Sequence, residues 1–149
     1  MLRGFRFLIV LAALLLPVPG LADSSTPNLV GTWVSVTGEV GHWEGVLKPF
    51  GTQVATLEVK KQLGGVFNGT MTYDNERHGP KFEGKAGVHH VQSETIVGVI
   101  DWDGRSIVWV DHEDETVHRA RLTRPNVMEV IAFEPGDHAV VNRMIMIRK

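Results

Sequence analysis

The chain has 149 residues, with 15 basic and 17 acidic side chains, a net charge of −2 and no cysteine. The slight acidity argues against a nucleic acid or an anionic lipid surface as partner, and the absence of thiols excludes disulfides, thiolate metal sites and a cysteine nucleophile. Stability has to come from a packed core, and this length supports one domain.

Arg3 and Arg6 precede an apolar run from Phe7 to Leu16, followed by Pro17, Pro19 and the small-x-small triplet Gly20-Leu21-Ala22. That order predicts a secretory signal peptide, residues 1–22, cut after Ala22. The run is shorter than the ~20 residues a span requires, so no membrane span is expected in the mature form. Residues 1–22 take two arginines and no acid with them, which leaves 127 of the 149 residues, 13 basic and 17 acidic, at net −4. The expectation is one exported domain, 23–149, periplasmic or secreted.

Asp23 to Asn28 is a polar leader, and Leu29 to Val36 reads as the first strand. Thr37 to Gln53 carries glycines, Pro49, His42, Trp43 and Phe50, a composition that predicts an irregular lid or covering flap. Val54 to Gln62 alternates, with Ala55, Leu57 and Val59 on one face, and Leu63-Gly64-Gly65-Val66 turns it into a return strand ending at Tyr73. Phe67, Gly69, Met71 and Tyr73 share a face of that strand. Asp74 to Lys81 is a loop by composition, and Phe82 to Gln92 holds at most a short strand around Ala86 to Val91.

Glu94 to Phe133 folds into consecutive hairpins. Asp103-Gly104 predicts a type I′ turn, which sets Ile100 opposite Ile107 and Gly98 opposite Trp109, with the missing side chain giving the indole room. A turn at Glu113-Asp114 then sets Trp109 opposite His118, and one at Pro125-Asn126 sets His118 opposite Phe133 and Ala120 opposite Ile131. Side chains alternate faces, so Trp109, His118, Ala120, Leu122, Ile131 and Phe133 fall on one side. Val108, Val117, Arg119, Arg121 and Val130 fall on the other, and its two arginines put that side in solvent. Glu134 to Asp137 leads into a last strand, His138 to Arg148.

No window beyond the leader shows a helical repeat, and turn signals recur at roughly the 8 to 12 residue spacing of an antiparallel meander. Eight or nine strands result, enough to close an up-and-down barrel. Gly31-Thr32-Trp33 on the first strand resembles the G-x-W opening of lipocalin-like and avidin-like (calycin-type) exported barrels. The resemblance implies a tryptophan at the closed end beneath an arginine from the last strand. A three-residue loop at Pro135 to Asp137 would make Arg143 that residue, facing Glu129 on the inner side, so Trp33, Arg143 and Glu129 are the expected closure. The avidin pattern is departed from at Ser35, Glu39 and Met71, and biotin binding is not implied.

The interior is where function points. A small barrel either fills with side chains or keeps room for one small ligand. His118 between Trp109 and Phe133 is a polar group among rings, which predicts a site for a small, mainly apolar molecule at Trp109, His118 and Phe133, with Trp43 as its lid. Its alternative is a structural hydrogen bond in a solid core.

No metal site or cofactor is expected. His89 and His90 are adjacent and point apart on a strand, His112 and His118 fall on opposite faces, and the acids from Asp111 to Glu115 suit a solvated turn. No nucleophile elbow occurs, and an enzymatic alternative rests on a carboxylate pair drawn from Asp101, Asp103 and Glu129, or on His118. Outside the barrel, Val97, Val99, Val108 and Val110 form an apolar stripe without a helix to cover it, which predicts a homo-oligomer.

Overall fold

The computed structural model describes residues 26–43, 47–51, 53–76, 89–113, 115–137 and 139–149. The expected signal peptide, the Trp43 side chain and most of Phe82 to Gln92 lie outside the described residues. Nine strands run in chain order: β1 (Gly31–Trp43), β2 (Leu47–Gly51), β3 (Gln53–Leu63), β4 (Val66–Glu76), β5 (His89–Ile100), β6 (Ser106–Asp111), β7 (Val117–Arg124), β8 (Val127–Glu134) and β9 (Val140–Arg148). Among the described residues there is no helix, and hence none long and apolar enough to cross a membrane.

All neighbours are antiparallel and consecutive from β3 to β9, and β1 pairs with β9, so β1 and β3 to β9 close an eight-stranded barrel. β2 lies outside that ring. It folds back on the far end of β1, pairing Trp43 with Leu47 and Val40 with Gly51. The stretch read as an irregular lid is therefore mostly a hairpin; Pro49 is tolerated because β2 is an edge strand.

Turn chemistry explains the register. At Leu63-Gly64-Gly65-Val66 only Gly64 takes a positive φ, +60°, the pattern of a type II′ hairpin. The β5–β6 connection keeps the expected pairs Ile100 with Ile107 and Gly98 with Trp109, yet its turn is not type I′. Gly104 alone has a positive φ, and its N–H donates to the Asp101 carbonyl at 2.9 Å, so Trp102 and Asp103 occupy the turn centre. The room at Gly98 is filled by the other neighbouring strand: a Cβ there would sit 2.3 Å from Cζ of Phe67.

One residue overturns the reading of the last third. Arg124 pairs with Val127 across Pro125-Asn126, but Leu122 pairs with Met128, so Thr123 is an extra residue, a bulge. A one-residue slip exchanges the two faces of a strand. His118 therefore faces Ala132 and Ala120 faces Val130, while Ile131 is exposed and Phe133 sits on the outer side with the Arg119 guanidinium 5.5 Å from its ring centre. Met128, Val130 and Ala132 enter the core in their place.

The same slip relocates the closure. Glu129 and Arg143 turn outward, and Arg143 pairs with exposed Glu39 at 2.7 Å. The arginine over Trp33 is Arg148, its guanidinium 5.4 Å from the ring centre. Arg148 also donates to the carbonyls of Asn28, at 3.1 Å, and Val30, and Trp33 Nε1 donates to the Leu29 carbonyl at 2.9 Å. Trp33 is part of one buried apolar core with Leu29, Leu57, Val59, Phe67, Ile107 and Met146. Each such side chain contributes about 1.5–3 kcal/mol relative to exposure.

Candidate functional site

Moving along the interior away from Trp33, the lining changes character. β4 delivers Tyr73, β5 delivers Glu94, β6 delivers Asp111 and β7 delivers His118, and all four are buried. The two-residue period puts them inside: Tyr73 continues the face of Phe67 and Met71, Asp111 that of Ile107 and Trp109, and His118 that of Ala120 and Leu122. Register brings them to one level. Trp109 pairs with His118, Ile96 with Asp111, and Met71 with Glu94, which sets Glu94 diagonally across from Asp111.

Three of the four meet at one point. The Tyr73 hydroxyl donates to Asp111 Oδ2 at 3.0 Å, and His118 Nε2 lies 3.0 Å from the same oxygen and 2.9 Å from the hydroxyl. With the hydroxyl hydrogen committed to the carboxylate, Nε2 sits between two oxygens and has to carry its own hydrogen. Trp109 stacks on the imidazole with ring centres 4.8 Å apart and planes 5° from parallel. Glu94 Oε1 accepts from the Gln92 side-chain amide.

This network is incomplete. Asp111 Oδ1, His118 Nδ1 and the Trp109 indole N–H are buried without a hydrogen-bond partner among the described residues. Each such group left unmatched costs about 1–3 kcal/mol. The register neighbours of the cluster are mixed in size: Ala55 lies opposite Tyr73 and Ala132 opposite His118, while Ile96 lies opposite Asp111 and Met71 opposite Glu94.

Of the four residues expected at the ligand, Trp109 and His118 are brought together, Phe133 is on the opposite face of the sheet, and β1 carries Trp43 to its far end beside Leu47. Tyr73, Glu94 and Asp111 were not anticipated as a group. Asp111, read with the acids of a solvated turn, is instead buried at the end of β6; it and Tyr73 each continued an inward-facing alternation, which was the available signal, and their meeting with His118 was not legible. The carboxylates offered for a catalytic pair do not assemble: Asp101 and Asp103 are exposed in the β5–β6 turn, and Glu129 is exposed on the outer face of β8. His112 is exposed while His118 is buried, and no group of three metal-ligating side chains converges among the described residues. The avidin-type positions are used otherwise, Ser35 Oγ accepting the Ala55 N–H at 2.7 Å and Met71 being packed in the core.

The class so defined is an eight-stranded antiparallel barrel with an apolar closed end and a buried polar cluster further along its interior. No protein-family model matches the chain, and no curated protein matches it. Among solved structures it is similar to an S-type phycobiliprotein lyase, CPES, from Guillardia theta, with 10% identity and a TM-score of 0.49 over 81% of this chain and 88% of that one. That likeness is too loose to speak to family or function.

Proposed function

We propose that this chain is an exported, non-enzymatic barrel that holds a small, mainly apolar molecule in its interior, over a floor formed by Trp109, His118, Tyr73 and Asp111. The observation that carries this reading is the burial of Tyr73, Glu94, Asp111 and His118 at one level of an otherwise apolar interior. A barrel that served only as a solid body would be at least as stable with apolar residues there, because desolvating two carboxylates and an imidazole offsets much of what their mutual contacts return. Buried polar groups of this kind concentrate at sites of use. Trp43, on the hairpin that extends β1, remains the candidate lid. Export is supported by the leader, and kinship with lipocalin-like barrels by Gly31-x-Trp33 beneath Arg148.

Native mass spectrometry of the mature protein tests the reading. A mass excess of one small molecule is expected, lost in Trp109→Ala and reduced in Tyr73→Phe. Bare mass throughout, together with tryptophan fluorescence that no apolar probe quenches, would overturn it.

A second reading concerns the outer face. Register makes Val66 the neighbour of Val99, Val99 of Val108, and Val97 of Val110, so the exposed valines of β4 to β6 are contiguous. Self-association through Val97, Val99, Val108 and Val110 follows as a proposal.

A further inference from the structure

We propose that the closed end of the barrel rests on a phospholipid bilayer bearing anionic headgroups, with Trp102 and Leu63 inserted at its interface. The proposal is independent of what the interior holds.

Hydrogen bonds gather this end from distant parts of the chain. The Gln62 side chain accepts from the Leu29 N–H at 2.7 Å and donates to the Pro27 carbonyl at 2.8 Å, which ties residues 27–29 to the β3–β4 turn. The Ile100 N–H donates to the Gly65 carbonyl at 2.7 Å, the Leu122 N–H to that of Arg105 at 2.9 Å and the Arg148 N–H to that of Asn126 at 3.0 Å. The β3–β4, β5–β6 and β7–β8 turns and the end of β9 thus form one rim.

Two of these turns carry a large apolar side chain outward. Leu63 is 70% exposed at the β3–β4 turn, and Trp102 is 97% exposed at the centre of the β5–β6 turn. That second turn is stiff: Asp101 Oδ1 accepts the Trp102 N–H at 2.7 Å, and Asp103 accepts the N–H groups of Arg105 and Ser106 and the Ser106 hydroxyl. An indole held out on a stiff tip forgoes the burial a tryptophan gains within a fold, which points to burial elsewhere.

Shape and charge select the surface. The two side chains stand on separate hairpin tips rather than on one face, and a bilayer interface accepts aromatic and aliphatic side chains one at a time, where a stable protein contact needs a continuous area. The chain is acidic overall, at −2, yet on this rim Lys61, Arg105, Arg124 and Arg148 outnumber Asp101 and Asp103. In the mature chain expected after cleavage, Asp23 and the amino terminus offset one another, as do Lys149 and the carboxyl terminus. Behind the rim the charges pair off, Lys60 with Glu58 at 3.9 Å and Arg121 opposite Glu129. β4 and β5 are joined at the opposite end, where Glu76 pairs with His89, so the charges of residues 77–88 do not enter this count. Basic side chains around inserted apolar ones favour anionic headgroups.

Flotation of the mature chain with phosphatidylcholine vesicles, made with and without phosphatidylglycerol, tests this. Binding is expected to be about tenfold tighter with phosphatidylglycerol, and to weaken about tenfold or more in Trp102→Ser combined with Leu63→Ser. Brominated acyl chains should quench the tryptophan emission of the natural chain and not that of Trp102→Ser. Both substitutions lie at exposed positions, so the circular dichroism spectrum should not change. Flotation with neither vesicle overturns the proposal and leaves a protein as the partner of these tips. Equal binding to the two vesicles overturns the anionic assignment, and quenching undiminished in Trp102→Ser overturns the placement of the closed end at the bilayer.

Discussion

Gly31 and Arg148 compete for one space. Gly31 adopts φ +133°, where L side chains are strained, and a Cβ there would approach Arg148 Nε to 3.3 Å. The glycine of the G-x-W motif is thus fixed by backbone conformation and by the guanidinium above Trp33. Gly31→Ala is expected to lower stability by about 1–3 kcal/mol, read from the urea midpoint. Arg148→Ala should cost about 1.5–3 kcal/mol, because its hydrogen bonds are charge-assisted. Arg143→Ala breaks only an exposed ion pair with Glu39 and should cost at most about 1 kcal/mol, so the order of the two arginines discriminates the observed closure from the one expected on sequence. Asp103 gives a pH prediction. The backbone N–H groups of Ser106 and Arg105 and the Ser106 hydroxyl hold its carboxyl at about 2, below the ordinary 3.8. A depressed pKa stabilises the fold above 3.8 and the benefit disappears as pH falls toward 2. The stability gap between the natural chain and Asp103→Ala should therefore be full at neutral pH and close in acid, by urea titration at stepped pH.

At the scale of strands, Thr123 decides the most. The extra residue turns Met128, Val130 and Ala132 inward and sends Ile131 and Phe133 out. Deleting Thr123 should force β8 to present the wrong face or the turn to rebuild; loss of cooperative unfolding is expected, and an undisturbed near-ultraviolet spectrum would count against this account of the bulge. Nothing in the sequence marks it. Threonine is at home in a strand, both faces of Val127–Glu134 contain large apolar residues, and alternation alone could not choose between them. Where one face is polar the reading was secure: Arg119 and Arg121 oriented β7, which put His118 inside against Trp109. The hairpin β1–β2 was hidden for another reason. Its glycines and Pro49 have loop composition, and pairing to a long partner strand overrides that local preference.

For the molecule as a whole, strand count, antiparallel order and closure were legible, since turn residues at regular spacing leave an up-and-down ring as the simplest arrangement. The polar cluster was not, because it is made by Tyr73 reaching across β5 to Asp111 and His118, a relation that pairwise register does not contain. The outer surface supplies the prediction at this scale. Sedimentation velocity is expected to show a dimer or larger for the mature chain and a monomer for Val97→Lys combined with Val108→Lys, whose charges would face an apolar partner. A monomer before substitution at micromolar concentration would dispose of the idea.

Closure of the ring by its first and last strands also brings the start of β1 beside the end of β9. The Lys149 N–H donates to the Thr32 carbonyl at 2.9 Å, and the Arg148 side chain reaches the carbonyls of Asn28 and Val30. A circle of hydrogen bonds has no privileged starting point. Splicing Lys149 to Asn28 through a few glycines and opening the chain between Gly64 and Gly65 should give a permuted protein with the same circular dichroism spectrum, its sheet indifferent to where synthesis begins.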